Sequence, residues 1–168
     1  DDYYLCAGQI TPYKRVDIAV QAFTQLGLPL VVLGGGATDV LKKNAGPTIK
    51  FVGQCDDDTM AKYFQRCKAL VYPGVEDFGI IPLEALASGR PVVAYAKGGA
   101  LETVKDGQTG ILFSEQTVDS LILAIRDMES RATDFQPALL REFAKQFDRP
   151  RFIARLKNHI KDIHKDFV

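Results

Sequence analysis

Six short apolar runs, each of strand length, constrain the fold more than any other feature of the sequence. They occupy residues 3–7, 30–34, 49–52, 69–72, 91–94 and 110–113. Within each run apolar residues follow one another instead of alternating with polar ones, which predicts strands buried on both faces. The stretches between the runs carry helical spacing. The pattern predicts an α/β fold in which helices flank a parallel sheet.

Several connections carry signals for helix ends. Residues 15–26 form an apolar helical face, and Gly27 stands where a C-terminal cap belongs. Asp56-Asp57-Asp58-Thr59 supplies capping oxygens and negative charge at the start of a later helix. Beyond Thr117 the spacing is helical throughout. Three more helices are expected there, over residues 118–125, 135–147 and 151–167.

Composition excludes several classes of protein. The 168 residues balance 21 Lys and Arg against 21 Asp and Glu, so the basic surplus of a nucleic-acid binder is missing. The three cysteines, Cys6, Cys55 and Cys67, show neither Cys-X-X-Cys nor Cys/His spacing, which favours a reducing compartment without disulfides or zinc. No apolar run is long enough to span a membrane, and Asp1-Asp2-Tyr3 is unlike a signal peptide. We expect a cytoplasmic domain.

The segment after the fourth run carries the richest chemistry, because parallel sheets bind ligands beyond the carboxyl ends of their strands. It leads into a helix, where the free N–H groups of residues 78–81 favour an anion such as phosphate. Gly79 allows that anion to approach the backbone. Glu76 and Glu84 would repel an anion, and their oxygens suit the neutral hydroxyls of a ribose or a sugar. The simpler interpretation is that Glu76 and Asp77 cap the helix while Glu84 is solvated.

Other segments after strands are also candidates. Lys14 and Arg15, beside the first helix, are placed to hold a diphosphate by charge-assisted hydrogen bonds, or are ordinary solvated cations. Residues 51–54 form a tight turn that needs Gly53. Gly34-Gly35-Gly36 either lines a crevice or turns the chain.

The run E-D-F-G-I-I-P-L-E-A-L-A-S-G-R-P-V-V-A, in which seven residues separate Glu76 from Glu84, resembles the signature of retaining glycosyltransferases of family 4. The segment after the first run is similar to a stretch of this family that reads glycine, arginine, a short loop and lysine. In that stretch the arginine and the lysine bind the donor diphosphate. Lys14 matches the lysine, but Gln9 stands at the position of the arginine. The departure leaves a neutral side chain where a cation is expected, and Arg15 is a candidate to compensate.

The resemblance implies a fold and a place within it. Such enzymes have the GT-B fold of two Rossmann-like domains, in which the first holds the acceptor and the second the nucleotide sugar. Residues 1–168 look like the second, donor-binding domain alone, so the acceptor-binding N-terminal domain is expected to be absent from this chain. A domain without its acceptor half is expected to transfer sugar poorly, because the two substrates are no longer held together. The closest resemblance is to bacterial mannosyl- and glucosyltransferases of surface polysaccharide synthesis.

The implied reaction is retaining transfer of a hexose from a UDP- or GDP-sugar to an acceptor hydroxyl in polysaccharide, lipopolysaccharide or glycolipid synthesis. No metal or other cofactor is required, and a mannose or glucose donor is favoured. Glu76 and Lys14 are the catalytic candidates; by the resemblance Glu84 holds the ribose and Glu76 the transferred sugar. Residues 51–54 are similar to the phenylalanine-x-glycine turn that lies beside the nucleotide base in this family. The resemblance implies a donor-binding set of Gly8, Gln9, Lys14, Arg15, Val52, Gly53, Gln54, Glu76, Asp77, Phe78, Gly79, Ile80, Ile81, Glu84, Gly98 and Gly99, the last two preceding Glu102.

Three other functions remain open from the sequence. They are a sugar-nucleotide epimerase of GT-B fold, a non-catalytic nucleotide-sugar-binding module and a domain that binds a protein partner. The last predicted helix is basic and amphipathic, with Arg151, Arg155, Lys157, Lys161 and Lys165 beside apolar residues. It fits packing against the first domain, and it also allows peripheral docking to the cytoplasmic face of a membrane. His159 and His164 are expected to be surface residues.

Overall fold

Six parallel strands form a single sheet in the order β3-β2-β1-β4-β5-β6. The computed structural model describes residues 2–165, so the end predicted for the last helix, at Phe167, lies outside the described residues. Each strand lies within one residue of its predicted position, and the predicted fold class, an α/β Rossmann-like sheet flanked by helices, is confirmed. The strands are β1 (Tyr4–Ala7), β2 (Leu30–Leu33), β3 (Ile49–Gly53), β4 (Leu70–Tyr72), β5 (Val92–Tyr95) and β6 (Gly110–Phe113).

Burial on both faces holds for the inner strands but not for β3. Every residue of β1, β2 and β4 is buried. By contrast, β3 is an edge strand whose residues are at most partly buried, and Lys50 within it is exposed. The prediction of burial on both faces was therefore wrong for this strand, because few helical residues pack against it; β6, at the other edge of the sheet, packs against a long helix and keeps three of its four residues buried.

Eight α-helices connect and flank the strands in the described part of the chain. Asp56 caps α3 as predicted, since its side chain accepts a hydrogen bond from the Thr59 N–H at 2.7 Å. The helix predicted over residues 135–147 begins later, because Pro137 keeps Gln136 extended. The helices are α1 (Val16–Leu26), α2 (Asp39–Lys43), α3 (Asp57–Arg66), α4 (Ile80–Ala87), α5 (Ala100–Thr103), α6 (Val118–Ser130), α7 (Pro137–Ala144) and α8 (Arg149–Lys165).

The centre of the sheet is the point at which the strand order reverses. The chain runs outward from β1 to β3, crosses over to β4 beside β1, and runs outward again to β6. β1 pairs with β2 over four residues but with β4 through one register pair, Leu5 with Leu70. Such a reversal leaves a crevice between the loops that follow the two central strands, and it is where ligands bind in open α/β sheets.

The last helix, α8, is exposed along its whole length as far as residue 163. Its side chains form an apolar stripe, since Phe152, Ile153, Leu156, Ile160 and Ile163 recur at helical spacing and are all exposed. His159 is a surface residue as predicted, whereas the side chains of His164 and Lys165 lie outside the described residues. Among the described helices, none is long and apolar enough to cross a membrane.

Candidate functional site

The loops after β1 and β4 meet at the central crevice and bring two charged side chains together. Lys14 follows β1, Glu76 follows β4, and the Lys14 ammonium nitrogen lies 3.1 Å from Glu76 Oε1. Both side chains are mostly buried, with 17% of Lys14 and 27% of Glu76 exposed. Glu76 Oε1 accepts no well-aligned hydrogen bond within the described residues, so charge attraction dominates this contact. A diphosphate that binds Lys14 would therefore compete with Glu76 for the ammonium group.

The start of α4 lies next to this pair and offers backbone donors. Gly79 adopts a left-handed conformation at the N-cap, with a φ of 80°, and no side chain caps the helix. The N–H groups of Ile80 and Ile81 belong to the first turn and have no partner within the helix. Together with the helix dipole they favour an anion at this point. Below them, burial and the charge of Glu76 raise the pKa of Tyr72 above its ordinary value, so this phenol stays neutral.

The loop after β5 lies against the backbone of Glu76. The Gly99 N–H donates a hydrogen bond of 2.8 Å to the Glu76 carbonyl oxygen. A Cβ atom at Gly99 would collide with the backbone of Phe78, so only glycine permits this approach. The structure thus places Gly98 and Gly99 beside the backbone of Glu76 and Phe78.

A cavity of about 570 Å³ opens at the carboxyl ends of β1, β2 and β3. The Gly34 N–H donates a hydrogen bond of 2.8 Å to the Gly53 carbonyl oxygen, which joins the glycine run after β2 to the turn after Val52. Of the alternatives for the glycine run, the structure supports a crevice lining. The sequence did not predict three of the lining residues, Cys55, Asp57 and Met60, because it is the start of α3 that brings their side chains to the cavity. The lining consists of Gly8, Gln9, Leu33, Gly34, Gly35, Gly36, Gln54, Cys55, Asp57 and Met60.

Glu84 lies on the outward face of α4 and is exposed, while Asp77 is exposed in the loop before the helix. Partial desolvation, and to a smaller extent the negative charge of Asp57, raise the pKa of Glu84. Asp57, at the start of α3, lies close enough for its charge to act on Glu84, and the sequence spacing did not reveal this neighbour.

Arg15 is set apart from this group. Its guanidinium group binds the Asp17 carboxylate, with Nε at 3.1 Å from Oδ1, and its Nη1 donates to Gln116 Oε1 at 3.3 Å. Lys14 instead lies over Gly8, 3.2 Å from the place that a Cβ atom would take there. The structure therefore gives Arg15 partners other than the crevice, and Gln9 keeps a neutral side chain at its rim.

A second, larger groove of about 970 Å³ runs between the outward face of α4 and the start of α8. Phe78, Ile80 and Glu84 line one side, and Phe152 and Arg155 line the other. Phe78 also packs on Phe147, with their ring centres 6.1 Å apart. The groove therefore connects the exposed stripe of α8 with the rim of the crevice.

No group of three or more His, Cys, Asp or Glu side chains within residues 2–165 has the arrangement of a metal site. The run Asp56-Asp57-Asp58 acts instead at the start of α3, where Asp56 is the cap.

The chain belongs to the glycosyl transferases group 1 family, whose pattern it matches over residues 1–146. An uncharacterized glycosyltransferase of Methanocaldococcus jannaschii is 29% identical over 156 residues, which cover 87% of this chain and 44% of that protein. A GDP-mannose-dependent alpha-(1-6)-phosphatidylinositol monomannoside mannosyltransferase of Mycobacterium tuberculosis is 29% identical over 143 residues, covering 74% of this chain and 37% of the relative.

Solved structures share the fold. HepE of Anabaena, solved in complex with UDP and glucose, superposes with a TM-score of 0.83 at 20% identity, covering 96% of this chain and 48% of HepE. This likeness confirms the Rossmann-like fold of GT-B glycosyltransferases. The chain spans less than half the length of each of these three proteins.

The raised pKa of Glu84 predicts a pH dependence. A carboxyl group whose folded pKa lies above its ordinary value of 4.5 binds its proton more tightly in the folded state. Its stabilising contribution is present at low pH and is lost as the pH rises from that value through the raised pKa. We expect Glu84→Gln to flatten this decline in the free energy of unfolding, measured by urea denaturation between pH 4 and 7.

The same shift tests the position of Asp57. We expect Asp57→Asn to lower the pKa of Glu84, followed by NMR titration of its side-chain carboxyl carbon, because a negative neighbour is removed. Asp58→Asn is the matched control, since it removes a charge from the same turn. An equal response to both variants would contradict the proximity of Asp57 and Glu84.

Proposed function

We propose that this chain binds a nucleoside diphosphate sugar and forms the donor half of a retaining glycosyltransferase that transfers a hexose to an acceptor hydroxyl. The observation that carries the proposal is the Lys14–Glu76 pair beside the uncapped start of α4, at the point where the strand order reverses. An ammonium group and free helix N–H groups attract a diphosphate, and the neighbouring carboxylate accepts hydrogen bonds from sugar hydroxyls.

Different residues of the site contact different parts of the donor. Lys14 and the N–H groups of Ile80 and Ile81 receive the negative charge that develops on the leaving diphosphate, which is electrostatic stabilisation of the transition state. Glu76 holds the transferred sugar, and Glu84 the ribose. The base occupies the cavity beside Gly53, where the ends of β1 to β3 leave about 570 Å³. This division needs no metal.

For the donor we propose a UDP- or GDP-hexose, with glucose or mannose as the sugar. The pathway we propose is synthesis of a polysaccharide, a lipopolysaccharide or a glycolipid at the cytoplasmic side of the cell. Support comes from the relatives, of which one is GDP-mannose-dependent, and from a neighbour in fold that was solved with UDP and glucose.

The acceptor, a glycan or lipid-linked sugar, we assign to a further domain that packs on α8. The exposed stripe of α8 supports this, because a helix with apolar residues along one face requires a partner to bury them. The basic side chains beside the stripe, among them Arg155 and Lys157, equally suit an anionic membrane surface.

Calorimetric titration of the chain with UDP, GDP and ADP, and with their hexose conjugates, tests the proposal. We expect one nucleotide to bind selectively and Glu84→Ala to weaken it by about 10-fold or more, because hydrogen bonds from ribose to an ionised group are lost. Glu115→Ala, an exposed carboxylate after β6, is the control. Absence of binding by every nucleotide would overturn the proposal and favour a domain that binds a protein partner.

The remaining alternatives differ in chemistry. The non-catalytic binding module would be identified by a protein that contains both this domain and its acceptor domain and binds the nucleotide sugar without transferring the sugar. Interconversion of the bound sugar, followed by NMR of the hexose, would identify the epimerase.

A further inference from the structure

Arg15 is held in an unfavourable backbone conformation. Its φ of 49° lies in the left-handed region, and among the described residues it is the one non-glycine residue with a positive φ. This conformation is unfavourable for an L-residue because its Cβ atom approaches a backbone carbonyl oxygen. A non-glycine residue keeps such a conformation where surrounding contacts hold it.

Those contacts lead to a second loop through Gln116, which lies between β6 and α6. The Arg15 guanidinium donates to Gln116 Oε1 at 3.3 Å, while Gln116 Nε2 donates to the Pro73 carbonyl oxygen at 2.9 Å. Asp17 fixes the other side of the guanidinium, with Nη2 at 3.1 Å from its Oδ2. One glutamine side chain thus joins the loops after β1, β4 and β6.

The two outer anchors of this bridge flank the charged pair of the crevice. Arg15 directly follows Lys14, and Pro73 precedes Glu76 by three positions. Between them the loops touch, since a Cβ atom at Gly74 would lie 2.7 Å from Lys14 Cα. Any separation of Arg15 from Pro73 would therefore also separate the backbones that carry Lys14 and Glu76.

We propose that Arg15 and Gln116 are positioning residues that set the distance between Lys14 and Glu76, and thereby the affinity for the intact nucleotide sugar, which contacts both side chains. The inference rests on the proposed function of this site. Arg15 then does not compensate for Gln9 by binding the donor itself. It acts on the donor indirectly, because it positions Lys14. The strained backbone at Arg15 is maintained by the same hydrogen bonds that hold the two loops.

Two variants test the bridge. Arg15→Gly removes the guanidinium and suits a positive φ, so we expect thermal stability to be unchanged or raised while the affinity for the preferred nucleotide sugar falls about 2- to 10-fold. Gln116→Glu keeps an acceptor for Arg15 but cannot donate to Pro73, and we expect a similar loss of affinity. Gln108→Glu makes the same chemical change at an exposed turn and serves as the control. A purely structural role would lower stability and leave affinity unchanged, and that result would overturn the proposal.

Amide hydrogen exchange provides a readout without a nucleotide. In both variants we expect faster exchange in residues 8–15 and 73–79, with protection in β1 and β4 unchanged. Unchanged exchange in both loops would overturn the bridge. Faster exchange with an unaltered dissociation constant for the nucleotide sugar would overturn its role in positioning. If the wild-type chain binds no nucleotide, the proposed function fails, and the exchange result alone decides whether the bridge holds the loops.

Discussion

Lys14→Ala is expected to weaken binding of the preferred nucleoside diphosphate by about 10- to 100-fold. The reason is that a hydrogen bond to a charged group contributes about 1.5 to 3 kcal/mol, and Gln9 offers no second cation at the rim of the crevice. The measurement is a calorimetric titration of wild type and variant at the same ionic strength. The backbone donors of Ile80 and Ile81 remain, so residual binding is expected.

Two companions make the result specific to Lys14. Lys97→Ala removes an exposed cation from the loop after β5 and should leave the affinity within about twofold, because exposed charges interact weakly. Lys14→Arg keeps the charge with another geometry and should retain part of the affinity. Equal losses in Lys97→Ala and Lys14→Ala would show that only net charge matters, and would remove Lys14 from the site.

Glu76→Gln is expected to change two affinities in opposite directions. The Glu76 carboxylate lies 3.1 Å from the Lys14 nitrogen and competes with any diphosphate that approaches it. Removing this charge should tighten binding of UDP or GDP by about 3- to 10-fold, as expected for a partly buried charge pair worth about 1 kcal/mol. The same change removes the acceptor for sugar hydroxyls, so the intact nucleotide sugar should lose the affinity that its hexose contributes.

The comparison of diphosphate with nucleotide sugar on one variant separates the two roles of Glu76. Glu115→Gln, in the loop after β6, removes an exposed carboxylate and should change neither affinity beyond about twofold. A loss of both affinities in Glu76→Gln would contradict competition for Lys14 and assign Glu76 to maintaining the loop.

The sheet was predictable because burial leaves a clear mark on the sequence. β4 and β6 carry apolar residues side by side, and their predicted bounds agree with the structure within one residue. The sequence pattern did not predict the short helices α2 and α5, because four or five residues are too few for a helical period to appear. At Gln136, a local effect of the following proline outweighed the apolar pattern.

Residues of the candidate site that lie on one continuous segment could be predicted from the sequence. Residues that come to it from distant segments could not. Glu76 and Gly79 lie on one continuous segment after β4, so the motif placed them together. Asp57 reaches the crevice from the start of α3, and Gln116, in the loop after β6, contacts the loops beside it, and only the strand order brings those segments close. The direction of Arg15 also lay beyond the sequence, because it depends on a left-handed backbone angle at a residue type that seldom adopts one.

The pairing of β1 with β4 at the centre of the sheet has a consequence for the effect of a bound donor on stability. Residues 4–53 and residues 70–113 each form three neighbouring strands from a continuous piece of chain. The two pieces join along the β1–β4 seam, which is also where we place the donor. A ligand that binds only the joined form, at 100 times its dissociation constant, adds about 2.7 kcal/mol to the free energy of parting them. Donor binding would thus stabilise the association of the two halves of the sheet.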